Sequence, residues 1–125
     1  MAKFTDDSVL NAALAKIATA TRMVVTSGQP ANFAGIAAVA LADVTLTAGD
    51  GNGDYVIADG DTSGRKLTVQ AQNAVPVDAN GDATHVCLDD GTTLLHVTTC
   101  TTQTLTSGNT VNTPAYDIEF LDVTP

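Results

Sequence analysis

The sequence predicts a mainly β protein: a single-domain antiparallel β-sandwich or barrel of about eight short strands, with one N-terminal α-helix. Three observations predict it. Short runs rich in Val, Ile, Thr and Tyr recur along the chain, residue types that suit a pleated, half-buried surface. Clusters of Gly, Asn and Asp separate them, and these supply the positive φ of tight turns. Apolar residues fall at helical spacing only near the N-terminus.

The 125 residues fit one domain, with the helix over 5–20 and the β-sandwich or barrel over 21–125. A chain of this length buries roughly two-thirds of its unfolded surface, enough for a core without staples. Its aromatics are Phe4, Phe33, Tyr55, Tyr116 and Phe120, with no Trp, so Ala, Val, Leu and Ile must fill that core.

The formal net charge is −9. The basic residues Lys3, Lys16, Arg22, Arg65 and Lys66 are too few to track a phosphate backbone, which excludes nucleic acid as a partner. They disfavour an anionic membrane surface for the same reason. The acidity suits solubility or docking on a basic surface. Met1-Ala2-Lys3 leads into Asp6-Asp7, not into an apolar run, so no signal peptide is read and folding in a cytoplasm is expected. The most apolar segment, residues 36–42, is too short to span a bilayer.

In chain order, Thr5 reads as the N-cap of a helix over residues 6–19, with Asp6 and Asp7 favouring its positive end. Val9, Leu10, Ala13, Leu14 and Ile17 form its apolar stripe, which must pack on the sheet or on another subunit. Strands are expected over 21–26, 44–47, 55–58, 66–70, 74–77, 101–106, 110–112 and 115–121, besides the hairpin below. Pro76 confines its strand to an edge or a bulge. Residues 31–42, alanine-rich, read equally as loop or short helix. The last strand alternates most cleanly, with Tyr116, Ile118 and Phe120 on one face and Asp117 and Glu119 on the other. A short echo, Thr45-Leu-Thr-Ala-Gly-Asp50 and Thr104-Leu-Thr-Ser-Gly-Asn109, suggests equivalent strand-to-turn corners.

Residues 83–99, ATHVCLDDGTTLLHVTT, read as one β-hairpin. Asp90-Gly91 signals a type I′ turn, whose central positions both need positive φ. Asp89 then faces Thr92, Leu88 faces Thr93, Val86 faces Leu95 and Thr84 faces Val97. Thr84, Val86, Leu88, Leu95 and Val97 share the core face; His85, Cys87, Leu94 and His96 share the other, with His85 opposite His96. A longer loop turning at Gly91-Thr92 is the competing register. In the first register Cys100 lies about 20 Å along the strand from the residue facing Cys87, so both thiols should be free.

That outer face is half apolar. It suits packing on a loop or another subunit, and His85, Cys87, Leu94 and His96 are candidate interface residues beside Val9, Leu10, Leu14 and Ile17 of the helix. A metal site from His85, His96 and Cys87 is the chemical alternative, because imidazole and thiolate are good zinc or copper ligands. No fourth ligand or known ligand spacing accompanies them, so no metal or cofactor is assigned. Asp50, Asn52, Asp54 and Asp61 fall short of a calcium loop: Tyr55 stands where the loop needs Gly, and Asp61 replaces the bidentate Glu. Residues 60–66 lack the Gly-Lys-Ser/Thr end of a phosphate loop. Cys87 beside His85 is the one nucleophile-base pair, and nothing in the sequence orients it. No catalytic residue is assigned, and the chain is read as a non-enzyme.

Several segments also carry a family resemblance. They are Ala40-Leu-Ala-Asp-Val-Thr-Leu46, Asp59-Gly-Asp-Thr-Ser-Gly-Arg-Lys-Leu-Thr-Val69, Ala83-Thr-His-Val86, His96-Val-Thr-Thr-Cys100, Thr104-Leu-Thr-Ser-Gly-Asn-Thr110 and Pro114-Ala-Tyr-Asp-Ile118. Together they resemble small structural proteins of tailed bacteriophages and prophages, over most of the chain. The resemblance implies a virion component, within that class a head decoration (cement) protein on the outside of the capsid. The major capsid protein is then the partner, and a homo-oligomer is expected, a trimer being common at quasi-symmetric capsid positions. The resemblance brings no catalytic residue with it. A tail or fibre module binding a neighbouring tail protein or a host glycan is the alternative within the same class.

Overall fold

The structure is a computed structural model that describes residues 4–122; the Met1-Ala2-Lys3 start and residues 123–125 lie outside them. In chain order the elements are α1 (Asp7–Ile17), β1 (Arg22–Thr26), a 3-10 turn η1 (Phe33–Gly35), α2 (Ile36–Val39), β2 (Ala40–Thr45), β3 (Tyr55–Asp59), β4 (Arg65–Val69), β5 (Gln72–Pro76), β6 (Gly81–Asp89), β7 (Leu94–Leu105), β8 (Thr110–Thr113) and β9 (Tyr116–Phe120). The strands form antiparallel sheets in the orders β2-β1-β6-β7, β3-β4-β9 and β5-β8, none closed into a barrel among the described residues. The fold is mainly β, as the composition and turn spacing require. The chain gathers into two compact units.

The first unit comprises Met1–Thr19, Thr47–Ala71 and Pro114–Pro125. Its helix is capped by Asp6, not by the expected Thr5: Asp6 is extended and its carboxylate accepts from Ser8 N at 2.9 Å. Either residue type caps well, but the carboxylate also meets the positive helix end. That hydrogen bond holds the Asp6 carboxyl below its ordinary value. Leu14 and Ile17 are buried, and α1 packs on β3 and β4, where Arg65 Nε donates to Asn11 Oδ1 at 2.8 Å. Leu67 lies between Ile57 and Ile118, and Val69 between Tyr55 and Tyr116. Tyr55, Leu67, Val69 and Ile118 are buried, so period-two alternation places the core in this sheet as expected.

The loop from β3 to β4 closes through Gly60 N donating to Gly64 O at 3.0 Å, while Glu119 accepts from the backbone N–H groups of Asp61 and Thr62. Gly64 has φ +69°, and a Cβ there would collide with Phe120 O. Gly51 has φ +80° and open space around it. Gly64→Ala is therefore expected to lower stability by at least about 2 kcal/mol and Gly51→Ala by about 1 kcal/mol, read from urea unfolding midpoints.

The second unit comprises Ala20–Leu46 and Gln72–Thr113. Its four-stranded sheet is covered on both faces. On one, Val25, Ala42, Ala83 and Leu105 pack with Val75, Val77 and Val111, so the β5-β8 ribbon lies over the sheet as a small β-sandwich. On the other, Ile36 packs on Val24 and Cys87, with Phe33, Ala40, Leu94 and Val97 around them. The ambiguous residues 31–42 thus divide into η1, α2 and the start of β2, Asn32 capping η1 by accepting from Gly35 N at 2.9 Å. β2 begins at Ala40, four residues before the expected 44, because pairing with β1 overrides the weak strand propensity of its alanines. The strands expected on either side of Cys100 are one, β7, and Cys87 and Cys100 are both free. Val97, not Leu94, faces Cys87, so Cys100 is three positions past the facing residue, on the opposite face of the sheet. The two echo segments do end strands alike: Leu46 and Leu105 are buried, and Gly49 and Gly108 have positive φ.

The hairpin departs most from expectation. Asp89 pairs with Leu94 across a four-residue loop, and Asp90 N donates to Thr93 O, so the turn is at Gly91-Thr92. Asp90 does not take positive φ. Its carboxylate instead accepts from Thr92 N at 3.0 Å and Thr93 N at 2.7 Å, a local side-chain turn that competes with type I′. Asp89 itself is 1% exposed; it accepts from Arg22 Nε at 2.9 Å and Gly91 N at 3.0 Å, and its carbonyl accepts from Thr21 N. Arg22→Ala leaves that carboxylate buried without its cation and is expected to cost about 2–4 kcal/mol. Adding Asp89→Asn should recover part of the loss in the same unfolding assay.

Candidate interaction surfaces

The observed hairpin register separates the two histidines. His85 faces Thr99 and His96 faces Leu88, while Cys87 faces Val97. Opposed residues share a face, so His85 and Cys87 project from one side of the sheet and His96 from the other. The metal alternative built on His85, His96 and Cys87 does not assemble, and no cluster of three metal-binding side chains occurs among the described residues.

The side that carries Cys87 is the one under η1 and α2. The half-apolar face is thus packed on a loop of its own unit. Cys87 is fully buried and touches Thr26, whose Oγ1 is 3.8 Å from Sγ and donates to Gly28 O. Burial pushes its thiol up, and His85 Nδ1 is taken by Thr84 Oγ1 at 2.8 Å. That pair holds a neutral thiol, not a thiolate nucleophile. Cys87 is also closed to any interface contact. Leu94 is only partly covered. With Thr92 and Thr93 it forms one wall of a groove of about 470 Å³ whose other wall is residues 31–34, including Phe33. The sequence reading missed Phe33, the one aromatic within the ambiguous alanine-rich segment.

The helix stripe is split in the same way. Leu14 and Ile17 are buried in their own unit, Leu10 is half-buried, and Val9 is 59% exposed. Phe4, just before the helix, is 83% exposed. Among the described residues, Val56 and Leu121 are the other large apolar side chains on the surface of this unit. Phe4 and Val9 flank Asp6 and Asp7, which gives an apolar and acidic N-terminal surface.

The acidic turns hold backbone N–H groups and basic side chains. Asp54 accepts from Thr47 N at 2.6 Å and Asp50 from Ile57 N at 2.9 Å, while Asn52 donates to Ala48 O. Asp59 pairs with Arg65 at 2.5 Å, and Lys66 with Asp61 at 2.7 Å and Asp117 at 3.5 Å. No helix of the described residues is long and apolar enough to cross a membrane. No family model, curated protein or solved structure matches the chain.

His96 Nδ1 is buried and has no hydrogen-bond partner among the described residues. Burial lowers its pKa from the ordinary 6.5. The unfolded chain therefore takes up the proton first as pH falls, so this residue costs stability progressively below about pH 6.5 and nothing above it. His96→Leu should lose less thermal stability than the parent between pH 7.5 and pH 5.5, a difference read by circular dichroism melts.

Proposed function

We propose that the protein is a structural component of a bacteriophage virion, a decoration protein bound to the outside of the major capsid shell. The observation that carries the reading is the N-terminal surface: Phe4 and Val9 exposed beside Asp6 and Asp7. Such a surface offers apolar area and negative charge to a partner and no reactive group. The β-rich fold and the resemblance in strand and turn segments support the same class. Binding that buries this surface only on the assembled shell stabilises the shell by linkage, with no chemistry required. A basic rim on the shell would complement the flanking carboxylates. The splitting of the histidines disfavours a metal-binding role.

Quantitative mass spectrometry of purified virions tests the assignment. A fixed stoichiometric ratio to the major capsid protein is expected. A few copies per particle would move the chain to the tail, and its absence would overturn the virion reading. Phe4→Ser with Val9→Asp should weaken shell binding about tenfold or more. Both side chains are exposed, so the melting temperature of the free protein should stay where it is.

A further inference from the structure

We propose that the second unit carries a self-association surface, made of the groove between η1 and the β6–β7 loop together with the adjoining outer edge of β7, and that its occupant is another copy of this chain. Charge is the first argument. The chain carries −9, yet residues 23–42 and 91–116 contain no Asp, Glu, Lys or Arg. Every residue lining the groove comes from these two stretches. Two copies of an acidic protein repel each other over most orientations. Meeting here, they join on uncharged lining residues, and the flanking carboxylates of Asp90 and Asp82 are engaged by Thr92 N and Thr93 N and by Thr104 Oγ1.

The sheet edges are the second argument. An open edge strand presents unpaired N–H and C=O groups to any other chain, and most edges are guarded against that. The outer edge of β2 is covered: Val77 bridges to Ala42, and the N–H groups of Asp78 and Ala79 donate to Leu41 O at 2.7 and 3.2 Å. On β3 the Asp50 carboxylate takes Ile57 N, and β9 carries Asp117 and Glu119. β7 forms the other edge of its sheet, has no strand partner beyond β6 among the described residues, and holds no charge, Pro or Gly. It leaves the β6 register at Leu95 and again over 100–102. These bulges restrict the regular edge to short runs at 96–99 and 103–105, which favours a limited contact over an open-ended ladder. Leu94 belongs to both the groove and the strand, so the two features are continuous.

The association is a property of the free chain and is measured without virions, so it stands or falls apart from the capsid assignment. Sedimentation velocity over a concentration series is the experiment, at salt from about 0.01 M to about 1 M, where the Debye length shrinks from about 30 Å to about 3 Å. A species heavier than the 12.7 kDa monomer is expected, and it should strengthen with salt because only repulsion is screened. Leu94→Asp, and separately Thr99→Asp with Gln103→Asp, should weaken it about tenfold or more. Leu94 packs on the core, so the second variant, at exposed positions, is the one that must keep the parent's melting temperature. A monomer at every concentration and salt overturns the proposal. So does an oligomer that weakens as salt rises, or one that the exposed double variant leaves intact.

Discussion

The buried carboxylate of Asp89 is the constraint on which the second unit depends. A charge taken out of water must be paired and hydrogen-bonded or the fold does not tolerate it. Asp89 meets that demand with Arg22 from β1 and with Gly91 N from the hairpin loop, and its own carbonyl takes Thr21 N. One residue thereby fixes where β1 begins against β6 and how the chain turns into β7. The register follows: Met23 against Leu88, Val24 against Cys87, Val25 against Val86. Because side chains alternate, that register decides which residues lie under α2 and which under the β5-β8 ribbon.

The same step explains where sequence reasoning succeeded and where it stopped. Asp90-Gly91 was legible as the site of a turn and not as its type. Gly91 does take positive φ, at 93°, but Asp90 spends its carboxylate on Thr92 N and Thr93 N and stays out of that region. The longer loop alone would keep His96 on the face of Cys87; the bulge at Leu95, between the Asp89–Leu94 and Leu88–His96 pairs, moves it to the other face from His85. A one-residue bulge, invisible to periodicity, thus undid the three-residue metal alternative. The competing Gly91-Thr92 register had the turn and not the bulge, and Arg22, which pairs with Asp89, lies 67 residues from it. Period-two strands such as β4 and β9 were readable because burial on one face writes the pattern directly. β2 was not, since its alanines become a strand only by pairing with β1.

The candidate surfaces were legible in part for related reasons. The helix stripe was correctly periodic, but periodicity does not say which of its members the domain itself consumes. Leu14 and Ile17 pack inward and Val9 does not, so an apolar stripe that looked like one surface serves two ends. Phe33 carried no pattern at all. Its place in the groove comes from η1, a turn set by Asn32 accepting from Gly35 N.

Part of the chain's acidity holds loops: six of its fourteen acidic residues bind backbone at turns and caps. Asp6, Asp50, Asp54, Asp89, Asp90 and Glu119 each accept from backbone N–H groups, and Asn80 and Asn112 do the same for Ser107 and Ala74. Buried or turn-bound N–H groups must find acceptors, and a carboxylate is a stronger acceptor than water at that task. Carboxylates therefore stand at many turns, and Asp43, Asp117 and Glu119 lie within strands, while β7 and β8 stay uncharged along their length. In this acidic chain β7 and β8 thus present neutral surface beside charged turns. Contact with other molecules is then sorted by chemistry: basic partners toward the loops and the helix start, neutral ones toward the strand edge and its groove.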